Sequence, residues 1–473
     1  MFSSPLHQAS RPRFLSSLIT THIRTKMLKS KMATILNNNT GRQFLKAPRI
    51  HWILDWDSTI TTHDTLSTLV NIAATSSSPS SSSSSPPPPH QPTTIPKQQR
   101  IETQWQNLSK AYMQDLKSST TDQHTENKND DDDDKGTTPL EKEIQTLIHQ
   151  ESIEARSLQR VISSRIFAGL TDRDICHGAA RAVRDGRVEI RKGFWEFYSR
   201  FSHSGSGVEG GREEKKAKEG EGGDGAEVTV LSVNWSRTFI LACLRAYLAS
   251  PFAAASRSAG PESVRSEHGG SGEGGGFDVS VDIDVVSNEL SNLQPQPQNS
   301  SLPTHEGSKT SGTSTGSIHS TFATTTNPSP SLILSSRHKL AILNSLAPPK
   351  DKQQGLRIYI GDSPTDFECL LAADIGICMR ALRTSRSNSD KSAEEDEDEN
   401  DGGELSRMMD RVGVKCVRLR DFDARGLERE MEGDQGSEKV VAWVRDFEEV
   451  CEWVDRMGWG REGTEGGLSG SGR

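Results

Sequence analysis

Long runs of Ser, Pro, Gly and acidic residues cut this 473-residue chain into short apolar segments, and that interruption constrains its fold more than any single motif. Such runs cannot bury enough apolar surface to offset the entropy of ordering them. They fall at residues 76–96, 202–227, 251–276, 291–330 and 384–410, with a further linker around 130–134. Only 32% of the chain is hydrophobic and 5% aromatic, against an apolar share of roughly 45–50% in ordinary soluble domains. The expectation is one ordered domain with long insertions, where length alone suggests about two or three domains. The acidic run 130–134 reads as a solvated, self-repelling loop, not a calcium site.

Between the insertions, strand and helix patterns alternate. Strands are predicted at residues 49–59, 228–231, 279–286, 357–360, 375–379 and 414–419. Helical spacing marks 101–116, 140–170, 172–183, the segment after Phe239, 338–346, 367–373 and 440–454. Arg191 to Gly193 form a turn into the aromatic segment 194–198. The alternation predicts an α/β fold with a Rossmann-like core and a mostly parallel sheet. Residues 65–227 form a helical block between the first and second strands, placed to cap their carboxyl ends, where open α/β sheets bind ligands. The expected division is a leader at 1–47, a core at 48–64 and 228–458, the cap at 65–227 and a tail at 459–473.

The net charge of −9 gives no basic footprint for nucleic acid. The most apolar run, 239–249, is shorter than the roughly 18 residues of a membrane span and carries Arg245, so no membrane segment is expected. Cys176, Cys243, Cys369, Cys378, Cys416 and Cys451 form no C-x-x-C pair and read as reduced core thiols, which favours the cytoplasm. No acidic residue precedes Asp55, while Arg11, Arg13, Arg24, Lys26 and Lys29 do. That leader fits a mitochondrial transit peptide, an unstructured basic tail, or an extension upstream of a start at Met27 or Met32.

Four motifs carry chemistry. Asp55–Trp56–Asp57–Ser58–Thr59 ends the first strand, and residues two apart on a strand face the same way. A carboxylate attacking phosphorus forms an acyl phosphate, and a partner carboxyl can protonate the leaving oxygen and then activate water. Ser232 and Val233 sit at the next strand-to-helix turn, where a hydroxyl and backbone N–H groups can hold phosphoryl oxygens. Lys339 can neutralise charge on a transferring phosphoryl group. Asp362 and Asp366 follow Gly361 after another strand, and Asp362 with Asp55 and the Asp57 carbonyl would suit Mg2+, which takes a few carboxylate oxygens plus water and phosphate. Each motif alone is common as a turn or helix cap. Their order, each at a strand end or helix start, is what makes them a set.

In residues 54–64 (LDWDSTITTHD), 230–240 (VLSVNWSRTFI) and 359–374 (YIGDSPTDFECLLAAD) the chain resembles the haloacid-dehalogenase-like superfamily, in its phosphoserine-phosphatase-like branch. RKGFWEF at 191–197 and SNEL at 287–290 resemble further elements of that branch, and the wording SVNWS is like that of uncharacterised fungal members. The resemblance covers about half the chain. It implies a Mg2+-dependent phosphatase with Asp55 as nucleophile, Asp57 as acid and base, Ser232 and Lys339 on phosphate, and the metal on Asp55, Asp57 and Asp362. Thr59 and Asp366 would support. Trp56 stands where Phe is common, and Arg337–His338 precede Lys339 where an Asp–Lys pair is common. A cap of this size implies a small phosphorylated substrate; partners of the insertions stay unspecified. A phosphomutase, or a catalytically idle scaffold of the same fold, is the alternative.

Overall fold

The computed structural model describes residues 49–76, 95–126, 137–202, 227–250, 281 and 283–293, 312–322, 332–346, 355–380, 403–422 and 440–459. The expected leader, the acidic run and most of each insertion lie outside these residues. The strands are β1 Arg49–Leu54, β2 Glu227–Leu231, β3 Asp284–Val286, β4 Asn288–Leu290, β5 Ile318–Ser320, β6 Gly355–Gly361, β7 Ile375–Met379, β8 Lys415–Arg418 and β9 Val440–Val444.

Seven of them form one sheet in the order β3-β2-β1-β6-β7-β9-β8, every neighbouring pair parallel. Trp52, Ile53 and Leu54 of β1 and all of β7 are buried, the near-continuous burial of a sheet covered on both faces. The fold is thus α/β and Rossmann-like, with crossover helices Arg237–Leu248, Ser336–Ser345, Phe367–Ala372 and Gly403–Arg411, and Phe447–Arg456 closing the described chain. None of the described helices is long and apolar enough to cross a membrane.

Between β1 and β2 lie helices Leu66–Thr75, Lys97–Glu126, Pro139–Ser164, Asp172–Arg184 and Phe194–Ser202. Pro139–Ser164 starts at a Thr138–Glu141 capping box and ends where Arg165 turns left-handed at φ 54°. This helix reaches the far side of the site: Glu143 pairs with Arg411, and Glu151 accepts from Ser335 Oγ at 2.8 Å. Trp235, just after β2, packs edge-on against Trp105 and Phe167 of the helical block, centroids 6.2 and 5.9 Å away.

Several expectations need correction. Residues 440–454 are not one helix: Val440–Val444 is strand β9, as its β-branched run favours, and the helix starts only at Phe447, capped by Asp446. Two pieces of the expected insertions are ordered. β5, inside 291–330, pairs antiparallel with β4. Helix Gly403–Arg411, overlapping 384–410, buries Leu405, Met408 and Met409 on one face. Three-residue strands and a nine-residue helix beside acidic sequence leave little periodicity to read. Among the described residues of the expected strand at 279–286, 284–286 are strand, and the aromatic segment is helical through Ser202.

Gly193 makes the turn that starts helix Phe194–Ser202, at φ 76°. A Cβ there would sit 2.3 Å from the Glu448 nitrogen. Gly193→Ala should therefore destabilise the protein by about 2–4 kcal/mol in urea unfolding, combining left-handed strain with a backbone clash.

Candidate active site

The register of β1 brings the motifs together. Leu54 lies opposite Val230 and Ile360, and the Asp55 N–H extends the ladder to the Ile360 carbonyl at 2.9 Å. Asp55 therefore leaves the sheet between β1 and β6, where the strand order reverses and such sheets open a crevice. In the turn Trp56–Ile60, Ser58 takes φ 56°, an uncommon conformation for a residue with a side chain. Arg191, 1% exposed, closes underneath. Its guanidinium donates to the carbonyls of Ser58, Thr59, Arg380 and Arg445, the last three at 3.0, 3.3 and 3.0 Å. The Arg-x-Gly-Phe element thus braces the turn that follows Asp55.

Asp55, Asp362 and Asp366 each offer a carboxylate oxygen within 4.8 Å of the others. Lys339, fully buried, comes from the second turn of helix Ser336–Ser345 and places Nζ 2.8 Å from Asp55 Oδ1 and 2.7 Å from Asp366 Oδ1. Asp366 is saturated. Lys339 Nζ and Tyr359 OH donate to Oδ1, and the Asp362 and Ser363 N–H groups and Ser363 Oγ donate to Oδ2. With five donors it anchors the lysine and the turn and has little left for an ion. Gly361 makes room for it, since a Cβ would lie 2.4 Å from Asp366 Cγ. Asp55 Oδ1, by contrast, accepts no aligned hydrogen bond beyond the lysine ion pair. Thr59 Oγ1 donates to Asp362 Oδ1 at 3.1 Å.

Asp57 faces elsewhere. Thr65 donates to its Oδ1 from N–H at 2.8 Å and Oγ1 at 2.6 Å, and Asn234 Nδ2 donates to Oδ2 at 2.9 Å. Of the three residues expected to hold an ion, the carboxylates of Asp55 and Asp362 gather, while that of Asp57 turns to Thr65 and Asn234.

Ser232 and Val233 lie at the same edge. Ser232 is buried and its Oγ accepts from the Asn234 N–H at 3.0 Å. Asn288 of the SNEL element ties this turn to the lysine segment, donating Nδ2 to the carbonyls of Val233 at 3.1 Å and Ile333 at 2.9 Å. Glu289 accepts from Ser236 Oγ and from the Thr238 N–H and Oγ1, holding the start of helix Arg237–Leu248. Asn234, Thr65 and Tyr359 escaped the sequence reading. Asn234 lay in plain view inside SVNWS, but nothing in the one-dimensional pattern aims it at Asp57.

Burial dominates the electrostatics. It pushes Asp55 well above the ordinary aspartate range, with Asp366 adding to the rise and Lys339 opposing it. Burial, then Asp64, takes Asp57 to about 6; burial, then Asp366, takes Asp362 to about 7. Burial also works against the Lys339 ammonium, but Asp366 and Asp55 outweigh it and hold it above the usual lysine value.

No known protein family matches the chain, and no curated protein matches it. Among solved structures it is similar to a phosphoserine phosphatase captured as an analogue of its phospho-aspartyl intermediate, at 12% identity, covering 71% of this chain and 87% of that one, with a TM-score of 0.26. A likeness of that size transfers no residue; the fold stands on the strand order itself.

Carboxyls whose folded pKa is raised hold protons that the unfolded chain releases, so the stability they contribute is present at low pH and lost as pH rises through the folded values. For Asp57 and Asp362 that loss runs through about 6 and about 7. The melting temperature of the metal-free protein should fall between pH 5 and pH 8, and Asp362→Asn should flatten the fall.

Proposed function

We propose that the chain is a Mg2+-dependent phosphatase of the haloacid-dehalogenase-like type, acting on a small phosphorylated metabolite through an aspartyl phosphate on Asp55. One observation supports this above the others. A buried carboxylate at the switch point of the sheet has a buried lysine 2.8 Å from one oxygen, while a second carboxyl two residues on is held by its own separate donors.

In this reading the Asp55 carboxylate attacks phosphorus and the bond to the leaving oxygen breaks, its electron pair staying on that oxygen, which takes a proton from Asp57. Water then attacks the phosphorus of the acyl phosphate and gives a proton to Asp57, and Asp55 departs as carboxylate. Lys339 neutralises charge on the phosphoryl oxygens, which Ser232 and the Val233 N–H hold on the opposite side. Asp362, Asp55 and the Asp57 carbonyl would hold the ion. The donor set fits one: two clustered carboxylates, both raised by burial, gain from a divalent charge that Lys339 alone does not supply. Bound there, Mg2+ would shield the anionic nucleophile from an anionic phosphate. Helices of residues 65–227 act as the cap, tied to the core by Glu143 on Arg411 and by Glu151 on Ser335; a cap of that size, closing over the carboxyl ends of the strands, favours a metabolite over a protein surface.

Purified protein with Mg2+ should release phosphate from para-nitrophenyl phosphate and from members of a phosphometabolite panel, and Asp55→Asn should lower kcat by about 10³-fold or more. Absence of Mg2+-dependent release across the panel would identify an idle binding protein instead, and phosphate moved within a substrate without release would identify a mutase. Mg2+ should also raise the melting temperature more at pH 8 than at pH 5, an increment that shrinks in Asp362→Asn.

A further inference from the structure

Trp56, between the two aspartates, is fully buried, and its side chain does more than fill space. Its Nε1–H donates to Thr65 Oγ1 at 3.1 Å. Asn234 Nδ2 donates to the same oxygen at 3.2 Å and to Asp57 Oδ2 at 2.9 Å. The orientation of the Asn234 amide is set independently, because its Oδ1 accepts from the Ser236 N–H at 3.2 Å.

A hydroxyl has one proton and two acceptor lone pairs. Indole and amide N–H groups only donate, so Trp56 and Asn234 together fill both lone pairs of Thr65 Oγ1. Its proton then has one direction left, toward Asp57 Oδ1, 2.6 Å away. The Thr65 N–H reaches the same Oδ1 at 2.8 Å. Oδ1 thus takes two donors, and a proton on it would have to displace one of them. Oδ2 takes a single donor and keeps a lone pair.

We infer that Asp57 Oδ2 is the atom that gives the proton to the leaving oxygen and later takes one from water, and that Trp56, Thr65 and Asn234 are positioning residues that impose this choice. The inference rests on the phosphatase reading above. A phenylalanine at position 56 has no N–H. It frees a lone pair on Thr65, lets the hydroxyl rotate, and loosens the hold on Oδ1.

The test compares phenyl phosphate with 2,4-dinitrophenyl phosphate, similar rings whose leaving oxygens differ greatly in basicity. Phenolate departure needs the proton from Asp57; dinitrophenolate departure does not. The readout is the ratio of the two kcat/KM values measured on one sample with Mg2+, so partial loss of folded protein cancels. Trp56→Phe should lower the phenyl-to-dinitrophenyl ratio by about tenfold, within the range that a misplaced catalytic group costs. Thr65→Val should do the same, and Thr65→Ser, which restores the hydroxyl, should recover most of the ratio. Wild-type protein that turns over neither ester sinks the phosphatase reading and this inference with it. Active wild type whose ratio is unchanged in both Trp56→Phe and Thr65→Val overturns the inference alone.

Discussion

A lysine buried between two aspartates is the interaction on which the site depends. Without the Lys339 ammonium, Asp55 and Asp366 would be like charges sharing a water-excluded space. With it, Asp366 is stabilised by a full complement of donors, and the Asp55 oxygen beside the lysine is left without another aligned partner. That leaves one oxygen of a buried carboxylate at the switch point of the sheet with the lysine as its near neighbour. The same packing explains Gly361, whose missing Cβ lets Asp366 fold back beneath the turn.

Around that pair the structure divides its work between two carboxyls on one strand end. Asp55 looks toward β6 and the lysine; Asp57 looks toward β2, where Asn234 meets it, and back along the chain to Thr65. The small β4–β5 ribbon, far down the chain, serves both halves. Asn288 links the Val233 turn to the segment leading into the lysine helix, so the Ser232–Val233 turn and Lys339 are fixed to one another.

Much of this was legible in one dimension because local sequence sets it. The strand-end position of Asp55, the Gly361 turn and the helix carrying Lys339 each follow from a short apolar run or a cap. Side-chain direction was not legible. Asp55 and Asp57 alternate correctly for a strand, but the strand ends at Leu54, and beyond it the two carboxyls meet different partners. Trp56 read only as standing where Phe is common, because its N–H is aimed at Thr65, a contact that no periodicity encodes. Short elements failed for another reason: β5 owes its order to pairing with β4, and the apolar spacing of helix Gly403–Arg411 spans little more than two turns beside acidic sequence.

The order of the sheet also dictates how the chain can be assembled. β9 is the last described strand along the chain, yet it lies between β7 and β8, and β8 joins the sheet through it. The Arg191 clamp beneath the Asp55 turn needs the Arg445 carbonyl, one residue past β9. A nascent chain that has emerged only through β8 cannot complete its sheet edge, and its Arg191 clamp lacks one of its carbonyls, because pairing at such sequence separation waits for the later partner. Asp55 is made early, and the brace beneath its turn is completed late. Translation halted before Val440 would leave both motif aspartates in the polypeptide without the Arg445 carbonyl that Arg191 holds.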